Sequence, residues 1–105
     1  MRRTYSQAKI DKIIQTTSIV GDQYNLLIFF ELTRFGEKSF NELKRMTHIN
    51  AVTLTKKLRA LEYHGLVAKR NSGKEVMYSL TTKADKFGPI IDDIAKVTGV
   101  NSLKQ

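Results

Sequence analysis

The chain has 105 residues, and its 18 Lys and Arg against 10 Asp and Glu give a formal net charge of +8. With 41% hydrophobic and 27% charged residues, the composition is that of a folded globular protein and excludes a disordered or collagen-like chain. The longest apolar run, residues 26–30, is too short to span a membrane, and the absence of cysteine excludes disulfides and thiol chemistry. These features predict one domain that resides in the cytoplasm and has no membrane partner.

Two helices are predicted in the first third of the chain. The first is capped by Ser6 and ended by Gly21, and the second is capped by Asp22 and ended by Gly36. The second helix has apolar residues around most of its circumference between residues 24 and 34, so we expect it to be the buried centre of the fold. The first helix has an apolar stripe on one side, formed by Ile10, Ile13, Ile14 and Thr17.

A pair of shorter helices is predicted in the middle of the chain. After an extended piece at residues 37–39, Ser39 and Glu42 have the spacing of a capping box, which predicts the start of a short third helix. Asn50 is the predicted cap of a fourth helix that runs up to Gly65. The leucines of this helix recur at helical spacing and predict its buried face, which consists of Leu54, Leu58 and Leu61.

Two strands joined by a tight turn are predicted after the fourth helix. Residues 66–70 and 75–80 alternate in polarity, and residues 71–74 between them include Asn, Ser and Gly, which favour a turn. The alternating apolar residues are Leu66 and Ala68 in the first strand and Val76, Tyr78 and Leu80 in the second, a pattern typical of strands with one side facing the core. The two strands are therefore predicted to form a hairpin.

A last helix is predicted after the hairpin. Thr82 and Asp85, three residues apart, indicate a start that resembles a capping box. Gly88 and Pro89 must kink or restart this helix, because proline lacks the N–H that an interior position needs. The apolar residues of the last helix are Phe87, Ile90, Ile91, Ile94 and Val97.

The order of these elements is that of a winged helix-turn-helix domain, mostly α with a small β-hairpin wing. We expect one such domain over residues 1–105, with the helices within residues 1–20 and 82–105 forming a dimer. Residues 38–86 carry eleven basic and four acidic groups, a net +7, so this segment holds nearly all of the excess positive charge. That concentration favours a nucleic acid as the partner.

Three stretches of the sequence resemble one known family. They are Phe40-Asn41-Glu42-Leu43-Lys44-Arg45, then Leu54-Thr55 with Leu58, Leu61-Glu62 and Gly65-Leu66-Val67, and then Val76 with Tyr78-Ser79-Leu80-Thr81. Their combined spacing is similar to that of HxlR-type winged-helix transcription regulators, small dimeric relatives of the MarR group, over roughly residues 20–98. Members of that family typically have Gly-Lys-Trp where this chain has Gly21-Asp22-Gln23-Tyr24. The thiol sensing that some members perform is not available to a chain without cysteine.

The face of the fourth helix opposite its leucines is the predicted DNA-reading surface. The side chains on this face are small near the start of the helix and basic further along, which suits contact with base edges in the major groove. The residues of helix 51–64 predicted to contact DNA are Ala51, Val52, Thr53, Thr55, Lys56 and Arg59. Wing 69–75 is predicted to contact the backbone through Lys69, Arg70, Asn71, Ser72 and Lys74. The third helix is predicted to cross the backbone through Asn41, Lys44 and Arg45.

The first and last helices carry more apolar surface than one small domain is expected to cover, which favours an interface between two copies. The residues predicted to form it are Ile10, Ile13, Ile14, Phe87, Ile90, Ile91, Ile94 and Val97. The alternative is that the two helices pack on each other within one subunit.

These patterns predict a sequence-specific transcription regulator that binds double-stranded DNA as a homodimer. Two other functions are compatible with a basic winged helix, namely a protein-interaction module and a sequence-independent chromosome-coating protein. Asp92 and Asp93 are adjacent on a helix and point in different directions, and neither His48 nor His64 has a partner at metal-ligand spacing. We therefore expect no enzyme activity, no cofactor and no metal, and the sequence identifies no effector ligand.

Overall fold

The computed structural model describes residues 4–97 and has a winged helix-turn-helix fold, which confirms the predicted fold class. It contains five α-helices, a short 3₁₀ turn and a three-stranded antiparallel sheet. In chain order the elements are α1 (Gln7–Val20), α2 (Gln23–Phe35), β1 (Lys38–Ser39), α3 (Phe40–Thr47), α4 (Ala51–Tyr63), β2 (Val67–Asn71), β3 (Val76–Leu80), the 3₁₀ turn (Ala84–Lys86) and α5 (Phe87–Val97). In the described part of the chain, no helix combines the length and the apolarity that a membrane span needs.

The starts of the first four helices are set by the predicted caps. Ser6, Asp22, Ser39 and Asn50 each accept a hydrogen bond from the backbone N–H three residues further on, at 2.9 to 3.2 Å. At Ser39 the capping box is complete, because the Glu42 carboxylate accepts a hydrogen bond from the Ser39 N–H at 3.0 Å. These bonds satisfy N–H groups that have no partner inside a helix, so local sequence determines where each helix begins.

The hydrophobic core lies between α2, α3, α4 and the start of the hairpin. Its fully buried residues are Ile28, Leu32, Leu43, Ile49, Leu54, Leu58, Leu61, Leu66, Val67 and Ala84. The predicted leucine face of α4 is therefore confirmed. Between α3 and α4 the chain turns at His48, which has a left-handed backbone with φ of 60°. The buried Thr47 hydroxyl accepts a hydrogen bond from the Ile49 N–H at 3.3 Å, which supports this turn.

The sheet has the order β1-β3-β2 and both of its pairings are antiparallel. The inward alternation predicted for the first strand is wrong, because Leu66 and Val67 are both buried whereas Ala68 is exposed. Leu66 precedes the strand and belongs to the turn that ends α4, where its N–H donates to the Leu61 carbonyl at 2.9 Å. Gly65, with φ of 74°, provides the left-handed backbone that reverses the chain there.

The start of the last helix also differs from the prediction. Thr82 does not cap it; instead the Thr81 hydroxyl accepts a hydrogen bond from the Ala84 N–H at 3.3 Å and donates one to the Gly65 carbonyl at 2.6 Å. A 3₁₀ turn follows, and α5 begins at Phe87. Gly88 and Pro89 thus lie in the first turn of a restarted helix, where a missing N–H costs nothing.

Candidate nucleic-acid interface

The outward face of α4 forms a shallow open concavity. Its lining residues are Ala51, Val52, Thr55, Lys56 and Arg59. Val52 is 77% exposed, although it is apolar and stands in the first turn of the helix. Thr53, which is half-buried like Thr55, is not part of this lining. Lys56 and Arg59 are exposed and form no ion pair with any residue in the range 4–97. Five of the six predicted DNA contacts of α4 therefore share one surface with free positive charge.

A second groove joins α3, α4 and the wing. It brings together predicted contacts from three elements, Asn41, Thr55 and Lys74, and Thr55 also lines the concavity on α4. The groove has four further lining residues that are not among the predicted DNA contacts, which are Phe40, Glu75, Val76 and Tyr78. The alternation predicted for the second strand puts Val76 and Tyr78 on the same side, so it is the signal by which these two could have been included.

Tyr78 is a half-buried lining residue of this groove. Burial raises the pKa of the Tyr78 hydroxyl, the nearby Glu62 carboxylate raises that pKa further, and Arg59 acts in the opposite direction. The hydroxyl therefore keeps its proton at neutral pH and can both donate and accept a hydrogen bond.

The tip of the wing uses part of its polar side chains to build its own turn. Asn71 Oδ1 accepts a hydrogen bond from the Gly73 N–H at 2.9 Å, and Ser72 Oγ donates to the Glu75 carbonyl at 3.0 Å. Gly73 has φ of 95°, a conformation that favours glycine. These two predicted DNA contacts, Asn71 and Ser72, thus also hold the wing tip in shape.

Two of the three wing cations are paired with carboxylates. The Arg70 guanidinium donates two hydrogen bonds to Glu37, from Nε at 3.1 Å and from Nη2 at 2.7 Å. These hydrogen bonds hold the pKa of Glu37 below its usual value. Lys69 lies 3.9 Å from Glu62, with both side chains well exposed. Lys74 is exposed and has no ion-pair partner within residues 4–97, so it is the wing cation most available to a phosphate.

The predicted contacts of α3 lie on its solvent side. Asn41, Lys44 and Arg45 are all exposed, while Leu43 on the same helix is fully buried. Arg45 contributes, with Lys38, to lowering the pKa of Glu42, after the larger effect of the hydrogen bonds with Ser39. The cations of α3 therefore face away from the core, on the helix that supplies Asn41 to the groove.

The residues predicted to form a dimer interface divide into two groups. Phe87 packs against the core, Ile91 lines a small internal cavity beside it, and Ile10 is half-buried. The other five are 42 to 85% exposed, and they are Ile13, Ile14, Ile90, Ile94 and Val97. No residue of α1 is buried in the protomer, and this helix contacts the core near its C-terminal end, where the half-buried Ile19 packs against it.

A helix-turn-helix followed by a basic wing defines a class of DNA-binding transcriptional regulators rather than enzymes. The chain matches the family of HxlR-like helix-turn-helix proteins over residues 19–104. The protein therefore belongs to the HxlR-like family, as the sequence motifs indicated.

Relatives of this chain carry names of the same kind. An HTH-type transcriptional regulator of Halalkalibacterium halodurans is 33% identical over 85 residues, which are 77% of this chain and 75% of that protein. The crystal structure of a MarR-family transcriptional regulator from Porphyromonas gingivalis W83 is 30% identical, with a TM-score of 0.73 over 96% of this chain and 99% of that one. The reduced form of the transcriptional regulator YodB from B. subtilis is 25% identical, with a TM-score of 0.74 over 81% and 86%.

Proposed function

We propose that this HxlR-like regulator binds specific double-stranded DNA sequences as a dimer, with α4 in the major groove and the wing on the flanking backbone. The observation that carries the proposal is the shared lining of the two grooves at Thr55, which joins α3, α4 and the wing into one surface. The excess of positive charge in residues 38–86 suits a polyanion along that surface.

The first turn of α4 is proposed to approach the base edges most closely. Ala51 and Val52 are small or branched apolar residues, so the helix can come near the groove floor and Val52 can contact a thymine methyl group. Lys56 and Arg59 lie one and two turns further along, where they reach guanine acceptors or phosphate oxygens. Thr53 and Thr55 lie on either side of the row formed by Val52, Lys56 and Arg59.

The phosphate contacts are assigned to the elements on either side of α4. We assign them to Asn41, Lys44 and Arg45 on α3 and to Lys69, Arg70, Asn71, Ser72 and Lys74 in the wing. Such contacts orient a protein on the duplex without reading its sequence. Among the wing residues Lys74 has the leading role, since the Glu37 carboxylate already accepts hydrogen bonds from two nitrogens of Arg70 and offsets its charge.

The dimer is proposed to form through the helices within residues 1–20 and 82–105. In the described part of these segments, α1 and α5 have an apolar surface that one protomer leaves exposed to water. Its residues are Ile13 and Ile14 of α1 and Ile90, Ile94 and Val97 of α5. A twofold axis through this surface would place two copies of α4 about 34 Å apart, one turn of DNA, so that they read a palindrome.

In-vitro selection of bound duplexes, followed by sequencing, tests the proposal. We expect enrichment of a palindrome whose half-sites are separated by about one helical turn. Binding without an enriched sequence would indicate a chromosome-coating protein, and no binding to any duplex would indicate a protein-interaction module.

The wing cations are expected to differ in their effect on salt dependence. Lys74→Ala should make the slope of log K against log salt shallower by about one unit, equally on selected and random duplexes. Arg70→Ala should change it less, because this guanidinium is already bound to Glu37. Anisotropy titrations at several salt concentrations measure both slopes.

Glu37→Gln is the matched control for the wing. This change leaves the Arg70 guanidinium without its carboxylate, so binding should strengthen on every duplex and the salt slope should steepen. If Arg70→Ala makes the slope of log K against log salt shallower than Lys74→Ala does, each in the otherwise unchanged protein, the leading role of Lys74 in phosphate contact is wrong.

A further inference from the structure

One lysine of α4 points away from the proposed DNA surface. Lys57 Nζ lies 2.6 Å from Oδ2 of Asp22, which is 35 residues earlier in the chain at the start of α2. The two side chains are only 26% and 24% exposed, and the ammonium lies 5.8 Å from the centre of the Tyr24 ring. Lys57 is therefore engaged with α2, although Lys56 beside it faces solvent.

Asp22 serves two helices at once. Its Oδ1 accepts a hydrogen bond from the Asn25 N–H at 3.0 Å and so caps α2, while its Oδ2 accepts one from Lys57 of α4. Burial raises the pKa of Asp22, but the hydrogen bonds from Lys57 and Asn25 outweigh that effect and hold the pKa below its usual value. The carboxylate is thus charged at neutral pH with a partner on each oxygen.

The same junction is also attached to the end of α1. Asn25 Nδ2 donates to the Ile19 carbonyl at 3.2 Å, and the Gly21 N–H donates to the Thr17 carbonyl at 2.7 Å. The approach at Gly21 is close, because a Cβ there would lie 2.8 Å from the Thr17 oxygen. A chain of polar contacts therefore runs from α1 through Asn25 and Asp22 to α4.

This chain of contacts matters because no residue of α1 is buried, and this helix packs against the core near its C-terminal end, through the half-buried Ile19. The direction of α1 relative to α4 therefore depends on the junction at that end. We infer that Asp22 is a positioning residue for DNA recognition, which acts through Lys57 to fix the recognition helix relative to α1 and thereby the separation of the two recognition helices in a dimer. The inference rests on the proposed dimer and on the proposed reading of DNA by α4.

Two substitutions remove the ion pair and spare its surroundings. Asp22→Ser keeps a good N-cap for α2 but lacks the charge, and Lys57→Met keeps an apolar stem over Tyr24 but lacks the ammonium. The two changes shift the net charge in opposite directions, and the double variant restores it. An effect of charge on DNA attraction would therefore have opposite signs in the single variants, whereas an effect of position has the same sign.

The first measurement compares the duplex selected by the unaltered protein with versions whose spacer is one base pair longer or shorter. We expect each single variant to lose about fivefold or more of the discrimination between these duplexes, and the double variant to lose no more than either. If the single variants only strengthen and weaken binding to all duplexes alike, according to their charge, the inference is wrong.

The second measurement needs no operator. The chain has no cysteine, so Ala60→Cys, at an exposed position of α4, gives one spin-label site per protomer. Pulsed electron paramagnetic resonance then measures the distance between the labels on the two α4 helices of the proposed dimer. We expect a narrow distance distribution for the labelled Ala60→Cys protein. The distribution should become broader when Asp22→Ser or Lys57→Met is added.

Ile28→Val is the control for a general loss of stability, because Ile28 is fully buried in the core and takes no part in the ion pair. It should lower the melting temperature and leave the distance distribution narrow. Unchanged distributions in the ion-pair variants, or equal broadening by Ile28→Val, would overturn the positioning role alone. A parent protein without any interprotomer distance would overturn the dimer as well, so the two failures are distinguishable.

Discussion

Replacing Ile94 by Glu is expected to convert the proposed dimer into monomers and to lower affinity for the selected operator about 100-fold or more. Ile94 is 55% exposed in the protomer and lies between Ile90 and Val97 on the apolar face of α5. A carboxylate in that interface would be buried without a partner, and a monomer loses the second half-site that the linked partner engages at high effective concentration. Sedimentation equilibrium at micromolar concentration, together with operator titration, measures both effects.

Lys96→Glu is the matched control, since it adds a carboxylate to an exposed position of the same helix outside the apolar face. It should remain a dimer and bind its operator. An unaltered protein that is monomeric at micromolar concentration and still binds its operator tightly would contradict the proposed interface.

Lys56→Ala and Arg59→Ala are expected to weaken operator binding, and at least one of them by about 1–3 kcal/mol. Both side chains lie on the concavity of α4, exposed and without an ion pair within residues 4–97, so each is available to a guanine or a phosphate. The variant that loses a base contact should also tolerate a changed base at one operator position. Titration against the operator and its single-base variants measures the loss position by position.

Lys12→Ala serves as the control for lost charge, because Lys12 is an exposed residue of α1 outside the proposed DNA contacts. It should bind the same duplexes with the same preference. If Lys56→Ala and Arg59→Ala both bind every duplex like the unaltered protein, α4 is not the recognition helix.

The first four helices and the solvent-facing side of α4 were predictable because their signals are local. Ser39 and Glu42 are three residues apart, and a capping box needs nothing beyond them. Likewise, the leucines of α4 lie within two turns of each other, so their spacing shows which face is buried and which faces solvent. The predicted surface of α4 therefore agrees with the observed exposure at four of its six positions, and the two exceptions are the half-buried Thr53 and Thr55.

The errors occurred where a residue contacts a distant part of the chain. Thr81, not Thr82, holds the turn before α5, because its hydroxyl reaches the Gly65 carbonyl sixteen residues earlier. Leu66 is buried outside the strand, and its carbonyl accepts a hydrogen bond from the Thr81 N–H at 3.1 Å, fifteen residues later in the chain. Neither relation follows from the alternation or the spacing of neighbouring residues.

The sequence by itself therefore determined the fold class, the caps of the first four helices, the buried face of α4 and the identity of the basic residues. Only the tertiary structure decided which cations are available to DNA. Arg70 is bound to Glu37 and Lys57 is bound to Asp22, 33 and 35 residues away, whereas Lys56 and Lys74 remain exposed. The physical reason is that a helix pattern arises from contacts within one or two turns, whereas an ion pair between distant residues forms only after packing has brought their helices and strands together.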